Sequence, residues 1–143
     1  MATGHIDRQL AADCHHMGSL QATELLLHRN ASLPWFILVP ETQLSDVLDL
    51  PDEHRQAVLD DCAAVSAFIK QVLGFEKVNF AGLGNVVPQM HLHVIGRHSA
   101  DPCWPDPVWG KLPAGECYPQ EQLLQWQQGL EKMVGLSPNP VIT

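Results

Sequence analysis

Basic residues are scarce in this chain of 143 residues: eight Lys and Arg stand against sixteen Asp and Glu, for a formal charge of -8 with His neutral. A protein that tracks a nucleic-acid backbone needs a basic face, so no nucleic-acid partner is expected. A single bound nucleotide is compatible with this charge, because one pocket can hold phosphate through dipoles and a few donors. Long apolar runs are also missing. Phe36-Ile37-Leu38-Val39 is short beside the roughly 18 residues of a membrane span, so no membrane partner is expected. The start of the chain shows no basic segment followed by an apolar one, the mark of a signal peptide. Cys14, Cys62, Cys103 and Cys117 form no Cys-x-x-Cys. They read as free, buried thiols in a reducing cytoplasm rather than as disulfides.

What is present is ordinary globular composition, 45% hydrophobic and 17% charged, at a length that suits one domain spanning 1–143. Ile6, Leu10, Cys14 and Met17 recur at helical spacing and predict a short helix over 5–17, which would leave His5, His15 and His16 in solvent. Segments 21–29 and 35–40 read as two strands of a hairpin, with Asn30-Ala31-Ser32 at the turn. The clearest helix covers 51–73, with Val58, Cys62, Val65, Ile69, Val72 and Leu73 on one face. Asp49 is its candidate cap, Pro51 falls in its first turn, and Gly74 is its stop. Segments 77–81 and 88–97 read as strands. Residues 101–119 carry five prolines and two tryptophans and read as an ordered loop, followed by a helix over 119–134 with Leu123, Trp126, Leu130 and Met133 on one face. The tail after Gly135 reads as extended.

Chemistry converges on Pro88-Gln89-Met90-His91-Leu92-His93-Val94-Ile95-Gly96-Arg97. Side chains alternate along a strand, so Met90, Leu92 and Val94 would enter a core while Gln89, His91 and His93 share the other face. Alternate residues lie about 7 Å apart, which lets two imidazoles bracket one small group such as a phosphate. Imidazole is the side chain best suited to act as nucleophile or proton donor near neutral pH. Two plainer readings compete. The histidines could lie on a solvated sheet edge, or they could bind a metal with His98 as third ligand. His28 and His54 read as surface residues. Arg97 reads as a phosphate contact or an ion-pair partner of a nearby Asp. Trp104 and Trp109 could close over the site, pack in the core or form an interface. Cys103 and Cys117 offer a weak pairing or a metal site with His98.

These residues resemble the histidine triad (HIT) family, whose motif is His-φ-His-φ-His-φ-φ with φ apolar. Gln89 stands at the first His. Asn79-Phe-Ala-Gly-Leu-Gly-Asn-Val-Val-Pro88 is similar to the family's lead-in, and Trp35-Phe-Ile-Leu-Val-Pro40 to a strand that usually opens with His. The resemblance covers about 20–105, leaving a Trp- and Pro-rich loop and a helix at 101–134. It implies an α+β fold, an antiparallel sheet with the long helix packed across it. It also implies nucleotidyl hydrolysis or transfer, with His91 attacking the α-phosphorus of a nucleoside phosphate conjugate or dinucleoside polyphosphate and His93 holding a phosphate oxygen. Gln89 would stand with His91 and His93 as a catalytic residue, serving if the first position only orients His91 and slowing the step if that position moves protons, and Asn79, Gly84 and Asn85 would contact phosphate. The resemblance implies no cofactor or metal, a small-molecule nucleotide as partner, and a homodimer. Three departures bear on rate: Gln89 cannot titrate, Val86 stands where a hydroxyl is common, and Trp35 replaces a pocket-edge His. They leave open a nucleotide-binding module with little turnover.

Overall fold

The protein is described here by a computed structural model covering residues 5–140. Six strands form one antiparallel sheet. They are β1 (Cys14–Ser19), β2 (Thr23–His28), β3 (Trp35–Pro40), β4 (Lys77–Gly82), β5 (Leu92–Arg97) and β6 (Ser137–Pro138), in the order β4-β5-β3-β2-β1-β6. Helix α1 (Arg8–Asp13) precedes the sheet, α2 (Asp52–Gln71) joins β3 to β4, and α3 (Gln120–Val134) precedes β6. This is the expected α+β architecture.

The hairpin of β2 and β3 forms as its turn residues require: the Asn30 side-chain carbonyl accepts from Ser32 N at 2.9 Å, an Asx turn that reverses the chain. Leu25, Leu27, Phe36, Leu38, Met90, Leu92 and Val94 face a core closed by Val58, Cys62, Val65, Phe68 and Ile69 of α2 and by Leu123 and Leu130 of α3. On the opposite face, Leu26, Trp35, Ile37, Val39 and Ile95 build a second cluster with Leu10, Cys103 and Val108. Gly96 permits close packing of the first face, because a Cβ there would lie 2.7 Å from Pro34 and 2.8 Å from Ile69.

Four local expectations are corrected. The helix over 5–17 stops at Asp13, capped at its start by the Asp7 carboxylate accepting from Gln9 N. From Cys14 the chain pairs with β2 instead. Six residues hold too few hydrogen bonds to sustain a helix alone, and a short apolar spacing of three and four cannot tell this helix–strand junction from one helix. His15 and His16 therefore lie in β1, His15 only 5% exposed and His16 bonded to the buried Glu24 carboxylate at 2.8 Å. Asp49 ends a 3-10 turn rather than capping α2, whose N-cap is Pro51. On α2, Phe68 and Asp61 are buried while Val72 is exposed. Asp61 accepts from Ala22 N and the Thr23 hydroxyl, both at 2.8 Å, which satisfies the buried carboxylate and fixes the start of β2. On α3, Gln127 rather than Met133 is buried, its amide donating to Met17 O.

The tail does extend: Gly135 adopts a left-handed C-cap, and Ser137 and Pro138 pair with β1. Cys14, Cys62 and Cys103 are buried free thiols, but Cys117 is exposed. Burial pushes the Cys14 and Cys62 thiols up to about 12. No helix among the described residues is long and apolar enough to cross a membrane.

Candidate functional site

Strand β5 begins at Leu92, so Pro88–His91 is irregular chain leading into it rather than part of the strand. The alternation of Met90, Leu92 and Val94 into the helix-side core still holds. His91 and His93 therefore come together on the other face, with ring centroids 5.0 Å apart in an edge-on arrangement. Both line a cleft of about 240 Å³ whose other walls include Leu10 and Asp13, Trp35 and His28, Gly84, Asn85 and Val86, and Trp109.

Hydrogen bonds fix the state of each ring. The Trp35 indole N–H donates to His93 Nδ1 at 2.9 Å. Indole nitrogen can only donate, so His93 Nδ1 carries a lone pair and the ring's proton sits on Nε2. Burial first, then the neighbouring His91 and His28, push His93 down to about 4. His93 is therefore neutral at neutral pH. His91 Nδ1 lies 2.7 Å from the backbone carbonyl oxygen of Gln89. A carbonyl only accepts, so His91 donates from Nδ1, and in the neutral ring Nε2 holds a free lone pair. The pair is thus asymmetric, with a lone pair on one Nε2 and an N–H on the other.

Aromatic packing buries His93 at this corner. His28 stacks on Trp35 with centroids 4.4 Å apart and planes 12° from parallel. Trp109 meets both Trp35 and His93 edge-on, at 5.9 and 5.0 Å. His28 Nδ1 accepts from Asn30 N at 3.1 Å, and burial pushes its pKa down despite Asp13 nearby. His28, which reads as a surface residue in the sequence, is half-buried as part of the cleft wall. The signal was available, since Leu26 and His28 are two residues apart on β2 and share a face.

The Trp109 loop is held by Arg97, which is 1% exposed. Its Nε donates to Asp101 at 2.8 Å, and its other nitrogens donate to the Asn79 side-chain carbonyl at 2.9 Å and to Asp106 O at 2.9 Å. Burial pushes the Asp101 carboxyl up, but Arg97 and the His98 and Cys103 backbone N–H groups outweigh it and hold it at about 2. Of the two sequence readings for Arg97, the ion pair is the one formed. Trp104 lies over that guanidinium at 5.6 Å and is 40% exposed, whereas Trp109 closes on the histidines.

The structure gathers His91, His93, Gly84 and Asn85 at the cleft. Asn79 is drawn away, its side chain bonded to Arg97. The Gln89 side chain also leaves the pair: its oxygen accepts from Asp7 N at 2.8 Å and its nitrogen donates to His5 O at 2.6 Å. His98 packs on Phe75, at 5.5 Å between centroids, beyond the far end of β5. It does not join His91 and His93, and among the described residues no three of His, Cys, Asp or Glu are grouped to hold a metal ion. The metal reading with His98 as third ligand is corrected on that geometry. Cys103 is buried beside Arg97 and Cys117 lies exposed, with both thiols free.

Comparison with known proteins agrees with the fold and the motif. The chain superposes on a crystal structure of a histidine triad protein from Marinobacter aquaeolei at a TM-score of 0.83, with 38% identity over 91% of this chain and 95% of that one. A histidine triad protein from Sinorhizobium meliloti matches at a TM-score of 0.85 and 33% identity, covering 93% of this chain and 98% of that one. One from Bradyrhizobium japonicum matches at 0.83 and 28%, covering 91% and 97%. No curated protein matches the chain. The family model for the HIT domain matches residues 9–100, and with these relatives it shows that the chain belongs to the HIT domain family.

Proposed function

We propose that the protein hydrolyses or transfers nucleotidyl groups through a covalent intermediate on His91. The observation that carries this reading is that the two rings at one cleft have opposite Nδ1 partners, an acceptor, the Gln89 carbonyl, for His91 and a donor, the Trp35 indole, for His93. His91 Nε2 attacks the α-phosphorus of a nucleoside phosphate conjugate. The bond from phosphorus to the leaving group breaks, and that group departs with the bonding pair. The Nε2–H of His93 donates to a non-bridging phosphate oxygen, where charge builds in the transition state. Water then attacks phosphorus and gives up a proton to solvent, the P–N bond breaks with its pair returning to His91 Nε2, and a nucleoside monophosphate leaves.

Gly84 and Asn85 border the cleft where phosphate contacts are needed, and Leu10, Ile37 and Val87 offer apolar walls to a base. Gln89, standing at the first motif position, has no titratable proton. Leaving groups stable as anions, such as the nucleotide released from a dinucleoside polyphosphate, suit such a site better than amines. Asn79 acts in this reading through Arg97 rather than on phosphate.

The homodimer reading rests on β4. It ends the sheet order, with Phe80 50% exposed beside an apolar groove that includes Leu59, Ala63 and Val78. A strand that has no second neighbour among the described residues, next to apolar surface, suits a second copy of the chain. A cytoplasmic setting agrees with the free thiols.

The test is incubation with adenosine and guanosine dinucleoside polyphosphates and phosphoramidates, following release of monophosphate. Turnover that is lost in His91→Ala and survives complete metal removal supports the reading. Val86, which lines the cleft without a hydroxyl, favours the runner-up, a binding module. Nucleotide binding in calorimetry with no monophosphate released over hours would establish that instead.

A further inference from the structure

We infer that the Gln89 side chain is a positioning residue that clamps the N-terminal segment as a wall of the substrate cleft. Its amide makes a paired contact with the backbone on either side of Ile6: Asp7 N donates to its oxygen and its nitrogen donates to His5 O. In extended chain, the carbonyl before a residue and the N–H after it point the same way. A primary amide presents one acceptor and one parallel donor, so it meets both at once, as a neighbouring strand would. The two nitrogens of an imidazole diverge and cannot satisfy both groups. An amide at position 89 is therefore what this contact requires.

The clamp acts on the cleft through α1. Two residues after the clamped Asp7, Gln9 begins the lining of the histidine cleft, followed by Leu10 and Asp13. His5, Ile6 and Gln89 line a separate, larger cleft of about 650 Å³. The clamped segment thus stands between the two. Among the described residues the other contacts at its start are local: the Asp7 carboxylate and carbonyl accept from Gln9 N and Ala11 N, and Ile6 packs partly against the site-face cluster. Releasing Gln89 frees the wall without touching either histidine, whose anchors are the Gln89 backbone carbonyl and Trp35.

This role rests on the proposed nucleotide chemistry only for its kinetic readout, so the test has two arms on the full chain. Hydrogen exchange of the Asp7 amide, without nucleotide, reads the clamp itself. In Gln89→Met it is expected to accelerate roughly tenfold, the loss of about one net hydrogen bond. Gln89→Glu keeps the acceptor and loses the donor, and a smaller acceleration is expected. In turnover, Gln89→Met is expected to raise KM about tenfold with a much smaller fall in kcat, since wall and not chemistry is altered. Gln89→His behaves like Gln89→Met if the clamp is the role. Unchanged Asp7 exchange in both variants overturns the inference whatever the activity. A fall in kcat with KM fixed, or a gain in kcat in Gln89→His, also overturns it, by assigning the side chain to the chemical step. Absence of turnover in the unmodified chain strikes the nucleotide reading alone and leaves the exchange arm to decide.

Discussion

Under α2 and α3 the sheet is closed by Phe36, Leu38, Val65, Phe68, Leu92 and Val94, whose side chains have no polar atoms. The opposite face buries His91, His93, Arg97 and Asp101 beside Ile37 and Ile95. The first face is held mainly by dispersion and area burial, which tolerate any partner of suitable size, with Asp61 and Gln127 as its few buried polar groups, each hydrogen-bonded. The second adds to a smaller apolar cluster a set of polar groups that need their partners in place: Trp35 on His93, and Arg97 on Asp101, Asn79 and Asp106 O. The difference separates two tasks. One face supplies most of the stability, and the other holds two imidazoles at a cleft with opposite hydrogen-bond partners at Nδ1.

The largest expected effect that sharpens this contrast is at Arg97. Arg97→Leu leaves the Asp101 carboxylate buried without its counter-charge, held only by the His98 and Cys103 N–H groups, which costs about 3–5 kcal/mol. Replacing both, with Arg97→Leu and Asp101→Leu, is expected to restore much of that stability. Activity stays low, because the loop that brings Trp109 onto His93 has lost its bond from Arg97 to Asp106 O. Denaturant unfolding paired with kinetics separates the two outcomes. If the double variant recovers activity as well, the polar face is only a core by other means.

The next effect is a pH dependence. His93 lies below its ordinary value of 6.5, at about 4 in the folded protein. Between those values the unfolded chain binds a proton that the folded chain excludes, so stability falls as pH drops from 6.5 to about 4 and levels off below. The loss is on the order of 3 kcal/mol. In His93→Gln the slope of unfolding free energy against pH is expected to shrink across this window. An unchanged slope would show that burial of His93 is not the source of the dependence.

A smaller effect is expected at Trp35. Trp35→Phe keeps an aromatic ring against His28 but removes the donor to His93 Nδ1. The imidazole nitrogen-15 spectrum of His93 should then change from a single Nε2–H form to a mixture. A fall in kcat of about tenfold should accompany it, the value of one hydrogen bond.

The same contrast explains what was legible in the sequence. The apolar face follows from period: Met90, Leu92 and Val94 alternate, and Val58, Cys62, Val65 and Ile69 recur every three or four residues. The pairing of His91 with His93 was legible for the same reason, since both lie on one side of the alternation. Their partners were not. Trp35 meets His93 across 58 residues, and Gln89 meets Asp7 across 82. Such contacts carry no local period, and a tryptophan or a glutamine at those positions reads as a lost histidine until its donor is seen. Window length accounts for the errors at 5–17, where one spacing fits both a helix and the strand after it.

Covalent attack by His91 Nε2 on phosphorus leaves a trace that rapid quenching of the protein with a dinucleoside polyphosphate, followed by peptide mass spectrometry, detects. An acid-labile nucleotidyl adduct on His91, absent in His91→Ala, is the expected result. Steady release of monophosphate with no adduct, or with an adduct on His93 or His28, would contradict it.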